Sequence, residues 1–136
     1  MNNSSNPQEL LLNSNSFLIT ETDAKGIIKF ANDEFCKYSG FSMDEVIGKP
    51  HNIVRHKDMP KAAFKDLWET VKSGKKWRGF VKNASRDGRY YWVYATIFPF
   101  TSCDGSQGFL SCRRKASEEE ALKYEEIYRK MRAEEQ

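Results

Sequence analysis

The chain has 136 residues and a formal net charge of +3, enough for one compact domain with a tail and too short for two domains flanking a cleft. Its basic residues are spread along the whole length, which argues against nucleic acid, and Leu10-Leu11-Leu12 is far shorter than a signal-peptide core or a membrane span. Cys36, Cys103 and Cys112 are odd in number and contain no C-x-x-C pair, which argues against a disulfide framework or a cysteine zinc site and for reduced thiols, mostly core filler, in a cytoplasmic protein without direct membrane insertion.

In chain order, residues 1–15 are rich in Asn and Ser and read as a flexible leader, within which Leu10 to Leu12 can pack as a short helix on the domain or on a second copy. Phe17 to Thr20 and Ile27 to Phe30 are β-prone runs around Asp23-Ala24-Lys25-Gly26, a hairpin pattern. Asn32 is placed to cap a helix that stops at Gly40, and Ser42-Met43-Asp44-Glu45 is a capping box for another. Ala63, Phe64, Leu67, Trp68 and Val71 recur at helical spacing up to Gly74. Trp77 to Asn83, Arg89 to Phe100 and Gln107 to Arg114 then read as strands separated by Asp87-Gly88 and Asp104-Gly105. Ser117-Glu118-Glu119-Glu120 opens a last helix. It carries i,i+4 pairs Glu119/Lys123, Glu125/Arg129 and Glu126/Lys130 and an apolar stripe of Leu122, Tyr124, Ile127, Tyr128 and Met131. This order predicts an α+β fold: a five-stranded antiparallel sheet with short helices on one face and a C-terminal helix. The boundaries are a leader at 1–15, a body at 16–115 and a C-terminal signalling or connector helix at 116–136.

The segment from Pro50 to Pro60 concentrates chemistry. It holds both histidines, His51 and His56, with Arg55 and Asp58, immediately before a helix N-terminus, where unpaired backbone amides favour anions. A bland alternative is that Asp58 caps the helix beginning near Pro60, with Arg55 paired to it at the surface. No Ser/His/Asp order, Gly-rich phosphate loop or paired-carboxylate motif points to an enzyme.

Gly48-Lys49-Pro50-His51-Asn52-Ile53-Val54-Arg55-His56-Lys57-Asp58-Met59-Pro60, continued by Phe64, Leu67-Trp68 and Gly74-Lys75-Lys76-Trp77-Arg78-Gly79-Phe80-Val81-Lys82-Asn83, resembles the PAS domain of aerotaxis transducers and of bipartite energy-taxis proteins. The resemblance covers nearly all of residues 17–115. It implies a PAS fold, a sensor of redox state or oxygen, non-covalently bound FAD, and a methyl-accepting chemotaxis receptor or signalling domain as partner. It also implies that Arg55, His56, Asp58 and Trp77 serve FAD, and Asn32, Phe64 and Asn83 match the same pattern. Separately, the apolar stripes of the leader and tail suit a homodimer through either.

A flavin needs aromatic walls, amides for its polar edge and cations for its pyrophosphate. Phe64, Trp77 and Trp92 are candidates for the walls, Asn32 and Asn83 for the edge, and Arg55 with His56 for the phosphates. Trp68 and Phe35 sit at core spacing and read as packing. Haem b is the second cofactor to weigh, because His51 or His56 can ligate iron. Two histidines with scattered thiols make no zinc site. Pro50-His51-Asn52 stands where flavin photosensors of this fold carry Asn-Cys-Arg, which removes the adduct-forming thiol. A cofactor-free docking or dimerisation module is the remaining alternative.

Overall fold

The computed structural model describes residues 8–135. Strand β1 (Phe17–Asp23) turns into β2 (Ile28–Ala31) through a loop closed by Asp23, whose Oδ1 accepts from the amides of Lys25 and Ile27. Helix α1 (Asp33–Ser39) starts at the Asn32 cap and ends at Gly40 in the left-handed region, and α2 (Met43–Val46) starts at the reciprocal Ser42–Glu45 box. A 3-10 turn at His51–Val54 leads to α3 (Lys61–Lys72). Then follow β3 (Trp77–Ala84), β4 (Tyr90–Thr101), β5 (Gln107–Lys115) and α4 (Glu118–Glu134).

The sheet order is β2-β1-β5-β4-β3, antiparallel throughout, so the first hairpin lies beside the last three strands as β1 pairs with β5. Strand alternation gives the sheet two faces. On β3, Val81 and Asn83 face α3 and the 3-10 turn, whereas Phe80 and Lys82 face α4. The inner core centres on Leu18, Phe35, Val54, Val71, Tyr91 and Val93, each at most 1% exposed. Burying each large side chain contributes roughly 1.5–3 kcal/mol.

The tail covers the other face. The Tyr124 ring lies 4.6 Å from Phe80, Trp92 stacks on Tyr128 at 6.0 Å, and the Tyr128 hydroxyl donates to the Phe80 carbonyl at 2.6 Å. Tyr124, Ile127, Tyr128 and Met131 pack as the stripe predicts, but Leu122 is 68% exposed because it lies about 200° round the helix from Tyr124, on the side of exposed Glu126 and Arg129. Of the expected helix pairs only Glu126–Lys130 forms. Glu126 also pairs with Arg129, and Glu125 turns inward to Lys82 instead of to Arg129.

The described end of the leader is extended, not helical. β5 pairs with β4 only from Val93 onward, which leaves the backbone of Tyr90 open on that side. Residues 8–10 fill it as a parallel bridge, with Leu10 N–H donating to Tyr90 O and Tyr90 N–H to Gln8 O, both at 2.7 Å. The remainder of the leader, residues 1–7, lies outside the described residues. The three thiols are free, but none is fully buried, and Cys103 is exposed on the β4–β5 turn, so core filling is not their common role. No helix among the described residues is long and apolar enough to cross a membrane.

Candidate functional site

Between α3, the 3-10 turn and the inner face of the sheet lies a cavity of about 330 Å³, at the lower end of the roughly 300–1,000 Å³ typical of small-molecule sites. Helical spacing brings Phe64, Trp68 and Val71 of α3 to it, and strand alternation brings Val81 and Asn83 of β3 and Phe109, Ser111 and Arg113 of β5. Gly26, at φ +86°, lets the β1–β2 turn lie against Trp68: a Cβ there would stand 3.1 Å from the indole. Among the described residues lining the cavity are the basic side chains of Lys25, Arg55, Lys72 and Arg113 and no carboxylate.

Its polar floor is unusual. Asn83 is 3% exposed, and among the described residues its Nδ2, the Oγ of Ser111 and the hydroxyl of Tyr91 make no well-formed hydrogen bond; Asn83 and Tyr91 stand opposite each other on paired strands and interact across that pair. Buried polar atoms are nearly always paired, and an unmade bond costs about 1–3 kcal/mol, so Asn83 and Ser111, which line the cavity, hold hydrogen-bonding capacity that the fold does not use. Arg113 is 3% exposed and pairs with no described carboxylate. Its Nη2 donates to Thr20 Oγ1 at 3.1 Å and to His51 Nε2 at 2.6 Å, and burial lowers its pKa to about 10, still cationic at neutral pH. Burial, reinforced by Arg113, pushes the His51 imidazole down to about 3. His51 is therefore neutral and accepts through Nε2, which puts its proton on Nδ1.

The Pro50–Pro60 segment splits in two. His51, Asn52 and Arg55 line the cavity, and the Arg55 guanidinium lies 3.7 Å from the centroid of Phe64. His56 and Asp58 turn the other way. His56 Nδ1 accepts from the Asp58 amide at 3.0 Å while its ring meets Tyr90, and burial, with Lys82 nearby, lowers its pKa. Asp58 Oδ2 accepts from Lys82 Nζ at 3.1 Å, and Lys82 also donates to both oxygens of Glu125 on α4 at 2.9 and 3.0 Å. Asp58 neither pairs with Arg55 nor caps α3. That N-terminus, expected to attract an anion, is taken by Glu135, whose carboxylate accepts from the amides of Lys61 and Ala62 at 3.1 and 2.9 Å.

Three other expected site residues lie elsewhere. Asn32 is used up by the fold: Oδ1 accepts from Ile19 and Phe35 amides and Nδ2 donates to the Phe17 carbonyl, which ties α1 to β1 away from the cavity. Trp77 lies beside the cavity rather than in its lining. Its ring crosses Gly79, where a Cβ would come within 2.5 Å, and its Nε1 donates to Asp66 of α3 at 2.8 Å. Trp92 faces α4, because it is one residue out of phase with inward Tyr91 and Val93. Conversely, Trp68 is a cavity wall and not only packing, whereas Phe35 is core at 0% exposure.

Arg113, Ser111, Phe109 and Asn52 were not legible as site residues. The i, i+2 run Phe109, Ser111, Arg113 was the available signal for β5, but adjacent Arg113 and Arg114 leave its inward phase ambiguous. As for iron, the His51 Nε2 accepts from Arg113, and the His56 Nδ1 is taken within its own loop. Neither histidine therefore offers a free ring nitrogen to an iron at these positions without giving up a bond it makes within the fold.

Residues 28–114 match the PAS fold family. Over 116 residues the chain is 43% identical to the aerotaxis receptor of Escherichia coli K12, covering 85% of this chain and 23% of the receptor. Over 103 residues it is 29% identical to a nitrogen fixation regulatory protein of Klebsiella pneumoniae, covering 75% of this chain and 21% of that protein. The chain thus spans under a quarter of the length of either relative. A solved light-oxygen-voltage domain studied with a flavin analogue superposes with a TM-score of 0.66 at 20% identity, covering 88% of this chain and 87% of that one. At that identity the likeness shows a shared fold and no more.

Proposed function

Because the chain belongs to the PAS family, we propose that it is a sensor domain that holds FAD non-covalently and reports redox state or oxygen to a chemotaxis receptor or signalling domain by protein contact. The observation that carries this reading is the cavity between helices and sheet, lined by aromatics and cations and by Asn83 and Ser111, whose buried Nδ2 and Oγ make no well-formed hydrogen bond among the described residues. Phe64, Trp68 and Phe109 would wall the ring, Asn83, Ser111 and Asn52 would meet its polar edge, and the exposed cations Arg55, Lys25 and Lys72 suit a pyrophosphate leaving the cavity. The aerotaxis receptor among the relatives supports the chemotactic context.

A bound flavin supplies a ring nitrogen that accepts a hydrogen bond when oxidised and carries a proton when reduced. Asn83 answers such a change by turning its amide, exchanging Nδ2 for Oδ1, or else leaves a buried polar atom unpaired at about 1–3 kcal/mol. That difference is about a five- to hundred-fold change in a two-state population. Lys82, the next residue on β3, faces α4 and transmits the strand's response to Glu125. On this reading residues 16–115 sense, 116–136 relay, and self-association uses Leu11 and Leu122, which are 75% and 68% exposed beside one groove.

An absorption spectrum after reconstitution with excess FAD tests the cofactor. Retained flavin bands that bleach on reduction are expected. A protein that stays colourless leaves only the docking-module reading, and a Soret band in protein made with haem supply would point to iron instead. Asn83→Ala is expected to retain less flavin and to lose the redox-dependent change at α4.

A further inference from the structure

His56 and Asp58 belong to the segment that resembles a flavin-dependent motif, yet neither lines the cavity. Their surroundings suggest another way to serve it. Asp58 is three residues from Arg55, which reaches the cavity, and its carboxylate is held by Lys82, whose side chain is only 7% exposed. Lys82 is in turn held by Glu125 of α4. The loop has a second tie, since Arg132 Nη1 donates to the Asp58 carbonyl, and a third, since the Lys82 amide donates to Met59 Sδ at 3.3 Å. Beyond the loop, α3 begins at Pro60 without a side-chain cap of its own. Glu135 supplies one from the end of α4, on the helix that carries Phe64 and Trp68 into the cavity wall.

The tail helix therefore grips both the loop and the helix that follows it, from the side opposite the ligand. We propose that α4 is part of the cofactor site, with Glu125 and Glu135 as positioning residues that hold residues 55–64 in their cavity-forming arrangement. This rests on the flavin reading above. Without Glu125 the buried ammonium keeps one carboxylate, Asp58, beside the Tyr90 ring, and without Glu135 the first amides of α3 lose their acceptor, so both losses loosen the wall that carries Arg55 and Phe64. Linkage makes the effect mutual. If docked α4 favours the binding conformation, then ligand favours docked α4 by the same factor.

The test is the double variant Glu125→Gln/Glu135→Gln beside the wild-type chain, both checked for folding by circular dichroism. Amide hydrogen exchange without flavin should be faster at residues 55–64 in the variant, and unchanged exchange there overturns the proposal whether or not flavin binds. FAD titration should show a roughly five- to hundred-fold higher Kd in the variant. In the wild type, FAD should slow exchange along residues 120–134, and that protection should vanish in the variant. A wild type that binds FAD with no protection of α4, beside a variant of equal affinity, would refute the coupling and leave the flavin reading standing. Failure of the wild type to take up FAD would instead refute that reading.

Discussion

Lys82 and Asn83 are consecutive on β3, both buried, and face opposite sides of the sheet. Lys82 donates to carboxylates from two other parts of the chain, while Asn83, at the floor of a cavity, keeps an amide nitrogen without a well-formed hydrogen bond among the described residues. The same contrast holds between the faces. The outer face is closed by the protein's own α4 with its polar groups satisfied. The inner face holds a cation, Arg113, without a described carboxylate, and three polar atoms, on Asn83, Tyr91 and Ser111, without a well-formed hydrogen bond. A buried polar group is tolerated where something completes it: on one side that is the chain itself, and on the other it is the role proposed for the flavin.

Identical substitutions on the two faces should therefore behave differently. Lys82→Met removes the ammonium that joins Asp58 and Glu125 and leaves two acidic groups facing each other. Because those carboxylates are 35% and 42% exposed and can rehydrate, the expected loss is about 2–3 kcal/mol, below the 3–5 of a fully buried pair. Urea denaturation checks it, and an unchanged midpoint would show that α4 does not depend on this junction.

The inner face should show itself in acid. The folded His51 takes up a proton only near pH 3, whereas the unfolded chain's histidine does so near 6.5. The unfolded state thus binds more protons between those values. Stability is full above about pH 7 and falls as pH drops through 6.5, by at most about 2 kcal/mol between pH 7 and 5 for this one group. Denaturation at both pH values measures the drop, and His51→Gln should flatten it. His56, whose pKa is lowered in the same direction, adds to the remaining slope, together with the carboxylates that begin to titrate at about pH 5.

Arg113→Met should have the smallest effect on the flavin-free protein, within about 1 kcal/mol in either direction, because it removes a buried cation that has no carboxylate to orphan. A loss as large as that of Lys82→Met would mean that Arg113 is structural and would erase the contrast. Loss of flavin binding in the same variant would sharpen it.

Much of the fold was legible because its signals are local. Asn32, Ser42 and Ser117 cap where they stand, the Asp23 to Gly26 run turns the first hairpin, and Ala63 to Val71 keep one apolar face. The candidate site was legible in part. The structure brings His51, Arg55, Phe64 and Asn83 to the cavity, but a loop such as Pro50–Pro60 has no periodicity from which to read side-chain direction. Asn32 shows a second limit: one amide suits a cap and a ligand's edge equally well in sequence, and here the Phe17 carbonyl and the Ile19 amide claim it.

By its pattern of caps, turns and alternating apolar residues, the sequence alone determined the order of elements and the antiparallel α+β class, since those signals act over a few residues. Only the tertiary structure decided that α4 closes the outer face, that Asp58 answers to Lys82, and that Arg113 meets His51 from 62 positions away. Those are contacts between distant segments, chosen by which buried charges and polar atoms can be completed once the sheet has formed.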